Sequence, residues 1–380
     1  MKKRLPALIL ALILALGLTA CGPASPQDSA DPSPDPSASP AIEADLSKSI
    51  VEFSAGLSPE DVLVTVNGEE ITADLFSYLL ASDCNNFLYQ HYAYSGALPE
   101  SLDEYADLLR EDAVTVSTYY AVLRQKAAEL GVPLTDEQRA EADAQLTEDT
   151  LAQLRGAYAF SDQSLDFIST LQFYNENVLS TVPAPTDEEL NGYVYQTKHI
   201  LLLTIDQSTR QPLSDEEKAE KLAAAQDLLA RLQAVEGEER EALFDELMEE
   251  YSEDDRDADG HIDPNGYEAV LGRMVAPYET ASLALDIGEM SGIVESEYGY
   301  HIILRGEVAF RDASREEYAE QYRSYRLDEL MDEWAAGAQV TKADAVAAID
   351  VDDFYSKYVA YQEAYAAAHP AESPSPAPEG

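Results

Sequence analysis

Basic residues are scarce in this chain of 380 residues: 24 Lys+Arg stand against 73 Asp+Glu, a formal net charge of −49. Phosphate binding needs a positive surface, so nucleic acid is excluded as an expected partner. Adhesion to an anionic bilayer through a basic patch is disfavoured for the same reason. There are only two cysteines, too few for a disulfide scaffold or a Cys-based zinc ribbon. Tryptophan occurs once, but 46% of the residues are hydrophobic and 23 are tyrosine. The length allows two domains and a sizeable core. The composition is that of a globular chain with a strongly acidic surface, not of a disordered acidic tail.

Long apolar runs are confined to the N-terminus. Residues 1–20 read MKKRLPALILALILALGLTA, three basic residues followed by an apolar run, which is the layout of a secretory signal. The run is too short and too early for a spanning helix of the mature chain. It ends in Leu18-Thr19-Ala20-Cys21, which resembles the lipobox of bacterial lipoproteins. The resemblance implies cleavage before Cys21, lipid on its sulfur, and a membrane contact made through that lipid. Loss of Lys2, Lys3 and Arg4 with the signal would leave the chain more acidic still. Cys84 would then have no partner and is expected to be a small buried residue. Residues 21–40 hold six prolines among Ser, Ala and Asp, the composition of an extended tether. Residues 370–380 have the composition of a disordered tail.

Between these ends, residues 61–72, DVLVTVNGEEIT, alternate around Asn67-Gly68, a hairpin signal. From Ala73 to about Ser180 the apolar spacing is helical. Gly131-Val132-Pro133 stops one helix, and Thr135 with Gln138 opens the next as a capping box. Thr186–Glu189 repeats the box after the boundary marked by Pro183 and Pro185. A β-like run follows at Lys198–Leu203. Ser214–Glu217 caps a long helix with Leu222, Leu228, Leu229 and Leu232 on one face, and a second helix carries Phe244, Leu247, Met248 and Tyr251. A short helix at about 277–285, stopped by Gly288, and a strand at 300–308 complete an order of strand, helix, helix, loop, helix, strand. Ser314–Glu317 caps a further long helix, and residues 341–360 again look helical. These C-terminal helices have apolar faces expected to pack on the N-terminal ones, making one discontinuous lobe.

The middle of the chain resembles a known family. Lys198-His199-Ile200-Leu201 opens the match, followed by Phe244-Asp245-Glu246-Leu247, Tyr251-Ser252-Glu253-Asp254, Gly272-Arg273-Met274-Val275 and Gly288-Glu289-Met290-Ser291-Gly292. Tyr298-Gly299-Tyr300-His301-Ile302-Ile303-Leu304 closes it. In order and spacing these segments are similar to a parvulin-type peptidyl-prolyl cis–trans isomerase domain. With the lipobox and the helical flanks, the whole layout resembles PrsA-type extracellular foldase lipoproteins and SurA-type periplasmic chaperones. The resemblance implies an α+β fold in which a small antiparallel sheet with surrounding helices is inserted between N- and C-terminal helical segments forming a chaperone lobe. The boundaries expected are a signal at 1–20, a tether at 21–57, a helical segment at 58–196, the isomerase-like domain at 197–308, returning helices at 309–362 and a tail at 363–380.

The resemblance also implies site roles. His199 and His301 match a hydrogen-bonded histidine pair on adjacent central strands, shaping the site rather than acting as a general base. Asp254 falls where a carboxylate could polarise the site near the substrate carbonyl, and Ser296 matches a small hydroxyl residue linked to the histidines. Met274 and Tyr278 match the apolar wall of a proline pocket. Tyr278 stands where phenylalanine is usual, with its hydroxyl either tolerated at the rim or narrowing the pocket. Taken singly, a strand histidine is usually a satisfied core group and a methionine a gap filler. It is the two histidines at matching ends of one domain that point to function. No cofactor or metal is needed to rotate an amide, and the expected partners are unfolded or partly folded exported polypeptides containing proline. No basic cluster follows His199, so no phosphate requirement is expected.

The stretch DRDADGHIDPNG at 255–266 departs from the family. Asp255, Asp257, Asp259 and Gly260 match the first half of a calcium loop, but Gly266 stands where the bidentate acid belongs, and a solvated acidic turn is the favoured reading. Two functions stay open: a membrane-tethered prolyl isomerase, and a non-catalytic holdase in which the helical lobe grips clients and the parvulin fold is a scaffold.

Overall fold

The computed structural model describes residues 42–209, 211–256, 260–311 and 313–370. Cys21 and the signal-like segment, along with Asp257 and Asp259 of the acidic loop, lie outside the described residues. Among the described residues no helix is long and apolar enough to cross a membrane.

The chain divides into two compact units, one of residues 1–182 with 325–380 and the other of residues 183–324. The first begins with α1 (Ile50–Ser54), whose N-cap Ser49 makes a full capping box with Glu52. Ile50 and Val51 are fully buried. The stretch expected as tether up to residue 57 is therefore folded from here on, because a five-residue helix with two apolar residues in the core is held by packing rather than by composition.

Strands β1 (Val62–Val66) and β2 (Glu69–Thr72) form the expected hairpin, with Val66 opposite Glu69. Asn67 and Gly68 both have positive φ, as the turn that matches strand twist requires. The helices that follow are α2 (Ala73–Ser95), α3 (Ala106–Glu129), α4 (Asp136–Gln145), α5 (Glu148–Tyr158) and α6 (Asp162–Thr181). Cys84 on α2 is free and buried.

The C-terminal part of this unit comes from the second half of α11 (Arg315–Ala336), from Tyr325 on, and from β7 (Val340–Lys342), α12 (Asp344–Ala348) and α13 (Val351–Ala368). Strand β7 pairs antiparallel with the free edge of β1, giving the order β2-β1-β7. Residues 341 and 342, expected to be helical, are thus strand. Phe354, Tyr358 and Tyr361 of α13 are buried in one core with Phe76, Leu80 and Phe167. Helix α13 runs on to Ala368, past the expected start of the tail at 363.

The second unit is built on a four-stranded antiparallel sheet of order β4-β3-β6-β5, with β3 (Val194–Leu203) and β6 (Gly299–Gly306) at its centre and β4 (Tyr267–Val270) and β5 (Met290–Glu295) at its edges. The short helix α7 (Asp187–Tyr193) leads into β3, and α8 (Asp215–Gln233), α9 (Gly237–Tyr251) and α10 (Ala276–Leu283) surround the sheet. Strand alternation gives the sheet two faces. Ile200, Leu202, Ile302 and Leu304 point to one, where they bury against Leu228 and Leu232 of α8 and Phe244 and Leu247 of α9. The other face carries His199 and His301, with Leu201 opposite His301 and His199 opposite Ile303.

Candidate active site

His199 and His301 sit on the two central strands as diagonal neighbours, close enough for their rings to meet. The rings stack with centroids 5.2 Å apart, and the two Nδ1 atoms are 3.2 Å apart. Both side chains are buried. The pairing of β3 explains why an acid reaches them. Residues 194–197 pair with β4, while the far end is satisfied by the loop after α9. The Leu201 N–H donates to Ser252 Oγ at 3.1 Å, the Glu253 N–H donates to the Leu201 carbonyl at 2.8 Å, and the Leu203 N–H donates to Glu253 Oε2 at 2.8 Å. Lys221 of α8 pairs with the same Glu253 carboxylate. Between these two pairings lies His199. Asp254, next in the loop, is set over it with Oδ2 at 2.7 Å from His199 Nε2.

On the other side, Ser296 Oγ lies 2.7 Å from His301 Nε2 and accepts the Tyr298 N–H at 3.2 Å. Burial acts to raise the Asp254 pKa. The hydrogen bond and charge of His199, together with the Tyr267 hydroxyl, outweigh it and hold the carboxyl below its ordinary value. Burial, and then the neighbouring His199, push His301 down to about 3, against a smaller opposite pull from Asp254. His301 is therefore neutral across the physiological range. The four side chains form one continuous hydrogen-bonded chain, from Ser296 Oγ to His301 Nε2, from His301 Nδ1 to His199 Nδ1, and from His199 Nε2–H to the Asp254 carboxylate, which is its anionic end.

The structure brings together His199, His301, Asp254 and Ser296. Tyr278 of α10 joins them from beneath: its ring is edge-on to both histidines, at 5.2 Å and 5.3 Å. The Tyr278 hydroxyl is not at a rim. It is 3% exposed as a residue and shares a 2.9 Å hydrogen bond with Thr197 Oγ1, so this tyrosine supports the histidine pair from inside. Met274 lies in the turn between β4 and α10 and is half-buried. One residue of the cluster was not anticipated. Tyr267, the first residue of β4, donates its hydroxyl to Asp254 Oδ2 at 2.6 Å and sets its ring edge-on to His199 at 5.6 Å. It follows directly on the 255–266 stretch that departs from the family pattern, and no local sequence signal marks it. Among the described residues no group of three or more His, Cys, Asp or Glu side chains could hold a metal ion.

A small four-stranded sheet with a buried, hydrogen-bonded histidine pair on one face and two long helices on the other defines a class, and the comparisons with known proteins agree. The family described as Rotamase, the PPIC-type peptidyl-prolyl isomerase domain, matches residues 199–307; that stretch is a parvulin-type isomerase domain. The chain is 34% identical over 145 residues to the Chaperone SurA of Chromohalobacter salexigens, covering 37% of this chain and 29% of that one. It is also 34% identical over 167 residues to the Foldase protein PrsA of Halalkalibacterium halodurans, covering 44% and 43%. The chain thus spans less than half the length of these curated relatives. A crystal structure of the peptidylprolyl isomerase PrsA from Bacillus anthracis aligns with a TM-score of 0.31 and 18% identity over 58% of this chain and 93% of that one.

Proposed function

We propose that this protein is an extracytoplasmic foldase that catalyses cis–trans isomerisation of X–Pro bonds in exported polypeptides. In this reading it is held at the membrane by lipid on Cys21, and the helical unit serves as the chaperone lobe into which the isomerase domain is inserted. The observation that carries the proposal is the hydrogen-bonded chain Ser296–His301–His199–Asp254 inside the segment matched by the isomerase family.

Amide resonance sets a rotational barrier of about 18–20 kcal/mol, and uncatalysed X–Pro rotation takes tens of seconds or more. In the planar amide, resonance places partial negative charge on the carbonyl oxygen. Twisting removes that charge and returns the lone pair to nitrogen. A site accelerates the rotation only by favouring the twisted state over the planar one. A fixed carboxylate beside the carbonyl does so, because it opposes the negative oxygen of the planar form. The histidine pair is neutral at His301 and bonded at both ends, so its part is to hold Asp254 in place and to shape a surface for the proline ring. No proton moves in this scheme, and neither histidine is a base.

A protease-coupled assay with an X–Pro peptide tests the reading. His199→Ala and His301→Ala are expected to lower kcat/KM by at least about tenfold while the near-ultraviolet circular dichroism remains native. A wild-type protein that shows no rate above the uncatalysed one, yet suppresses aggregation of an unfolded client, would overturn it in favour of the holdase.

A further inference from the structure

The hydroxyl of Tyr267 has no counterpart in the sequence reading, and it meets the site at its charged end. The geometry points to Tyr267 as a positioning residue for isomerisation: its hydroxyl holds the Asp254 carboxylate in its ionised state and in register with His199, and its ring walls the site beside that carboxylate. The inference rests on the isomerase reading above and deepens it.

Three observations carry it. First, Asp254 Oδ2 is shared by two donors, His199 Nε2 at 2.7 Å and the Tyr267 hydroxyl at 2.6 Å. A hydrogen bond to an ionised carboxylate is stronger than one between neutral groups and favours the charged form. Two donors from different strands also fix where that oxygen lies. Second, the position of Tyr267 is itself over-determined. Gly266, just before it, has φ +65° and lies so close to β3 that a side chain there would overlap the Thr197 carbonyl oxygen. Tyr267 is then paired directly opposite Thr197, so backbone contact locks the tyrosine at the root of the histidine strand. Third, Tyr267 is still 37% exposed, so it is both bonded inward and open to a substrate, unlike Tyr278 beneath it.

The ionisable groups around Asp254 are His199 from β3, Tyr267 from β4, Tyr278 from α10, His301 from β6, and Asp255 next to it in the loop. Tyr278 is buried with its hydroxyl committed to Thr197. His301 is neutral over the working range, and Asp255 gives the carboxylate its backbone N–H, which also favours the ionised form. His199 and Tyr267 are therefore the two side chains that donate to the carboxylate, and Tyr267 is the one that can lose its hydroxyl without disturbing the histidine pair. The bond works on both partners: burial, and then the hydrogen bond and charge of Asp254, hold the Tyr267 hydroxyl above its ordinary pKa.

The test is Tyr267→Phe, which keeps the ring and removes the donor. Two readouts are taken on the full chain: the 13C titration of the Asp254 carboxyl, and the pH profile of kcat/KM on an X–Pro peptide. The Asp254 titration is expected to move to higher pH, and the acid limb of kcat/KM is expected to move with it. Activity should fall roughly tenfold on that limb, the worth of one hydrogen bond to a charged group, and recover toward wild type at higher pH. An Asp254 titration that superposes on wild type would overturn the inference. So would a titration that moves while the acid limb stays, since the hydroxyl then has no part in the reaction. A wild-type protein with no isomerase activity refutes the underlying reading alone, and the carboxyl titration still decides whether Tyr267 holds Asp254 ionised. Should the phenylalanine variant not fold, the Tyr267 Cζ titration in the wild type serves instead: ionisation near pH 10, the ordinary value, overturns the contact.

Discussion

Asp83 offers a measurable consequence of burial in the helical unit. It lies on α2, one residue before the buried Cys84, and its Oδ2 is buried without a hydrogen-bond partner. Desolvation, and then the charge of Asp112 on α3, raise its pKa from 3.8 to about 7. A raised carboxyl binds its proton more tightly in the folded chain than in the unfolded one. Below about pH 4 both states are protonated and the group costs nothing. From there to about pH 7 the unfolded chain ionises first, so stability falls with rising pH, and above that the penalty is constant. The full shift corresponds to about 4 kcal/mol at most. The residue retains some solvent exposure, which screens the charge and brings the expected penalty to about 2 kcal/mol. Asp83→Asn should therefore stabilise the helical unit by about that amount at pH 8 and by little at pH 4. The single tryptophan, Trp334, packs against the core of this unit, so urea unfolding followed by its fluorescence reads the right transition. Parallel stability–pH curves for wild type and variant between pH 4 and 8 would refute the reasoning.

Other perturbations have equally definite outcomes. Phe244 is fully buried between α9 and the sheet, so Phe244→Ala should cost the isomerase unit about 3–5 kcal/mol, read from its near-ultraviolet tyrosine signal in a denaturant titration. His301 is held neutral down to about pH 3 by burial and by His199. The unfolded chain binds that proton already near pH 6.5, so the isomerase unit should lose stability as pH falls from 6.5 toward 3, and a histidine titration by nuclear magnetic resonance should show His301 unprotonated at pH 5. Ser49→Ala removes the cap of α1 and should cost about 1 kcal/mol in the Trp334-monitored transition; an unchanged midpoint would mean that α1 does not contribute to that core.

What could be read from residues alone was whatever has a local cause. The Asn67-Gly68 turn and the capping boxes at Thr135, Thr186 and Ser214 are all present, because each is decided by a few neighbouring residues. Strands β4, β5 and β7 were not legible. They are three to six residues long and at sheet edges, and they exist because a longer strand offers them a partner. The same holds at the site. His199 and His301 could be named from their place in a family pattern, whereas Tyr267 depends on the pairing of β4 with β3. The burial of the Tyr278 hydroxyl depends on where Thr197 stands across from α10. A side chain's type is local information; its orientation comes from contacts many residues away.

The pairing of β1 with β7 has a consequence for the order in which the molecule can be completed. Val64 and Val66 near the start are matched to Lys342 and Val340, so the first strand of the helical unit waits for residues some 275 positions later. The isomerase unit is made of residues 183–324 alone. A chain released from its N-terminal end would therefore finish its isomerase domain while the helical unit still lacks a strand and a core helix. Contacts this distant in sequence are slow to form. The last helix supplies Phe354, Tyr358 and Tyr361 to the core, so loss of the final forty residues should leave a folded isomerase domain attached to an unfinished helical unit.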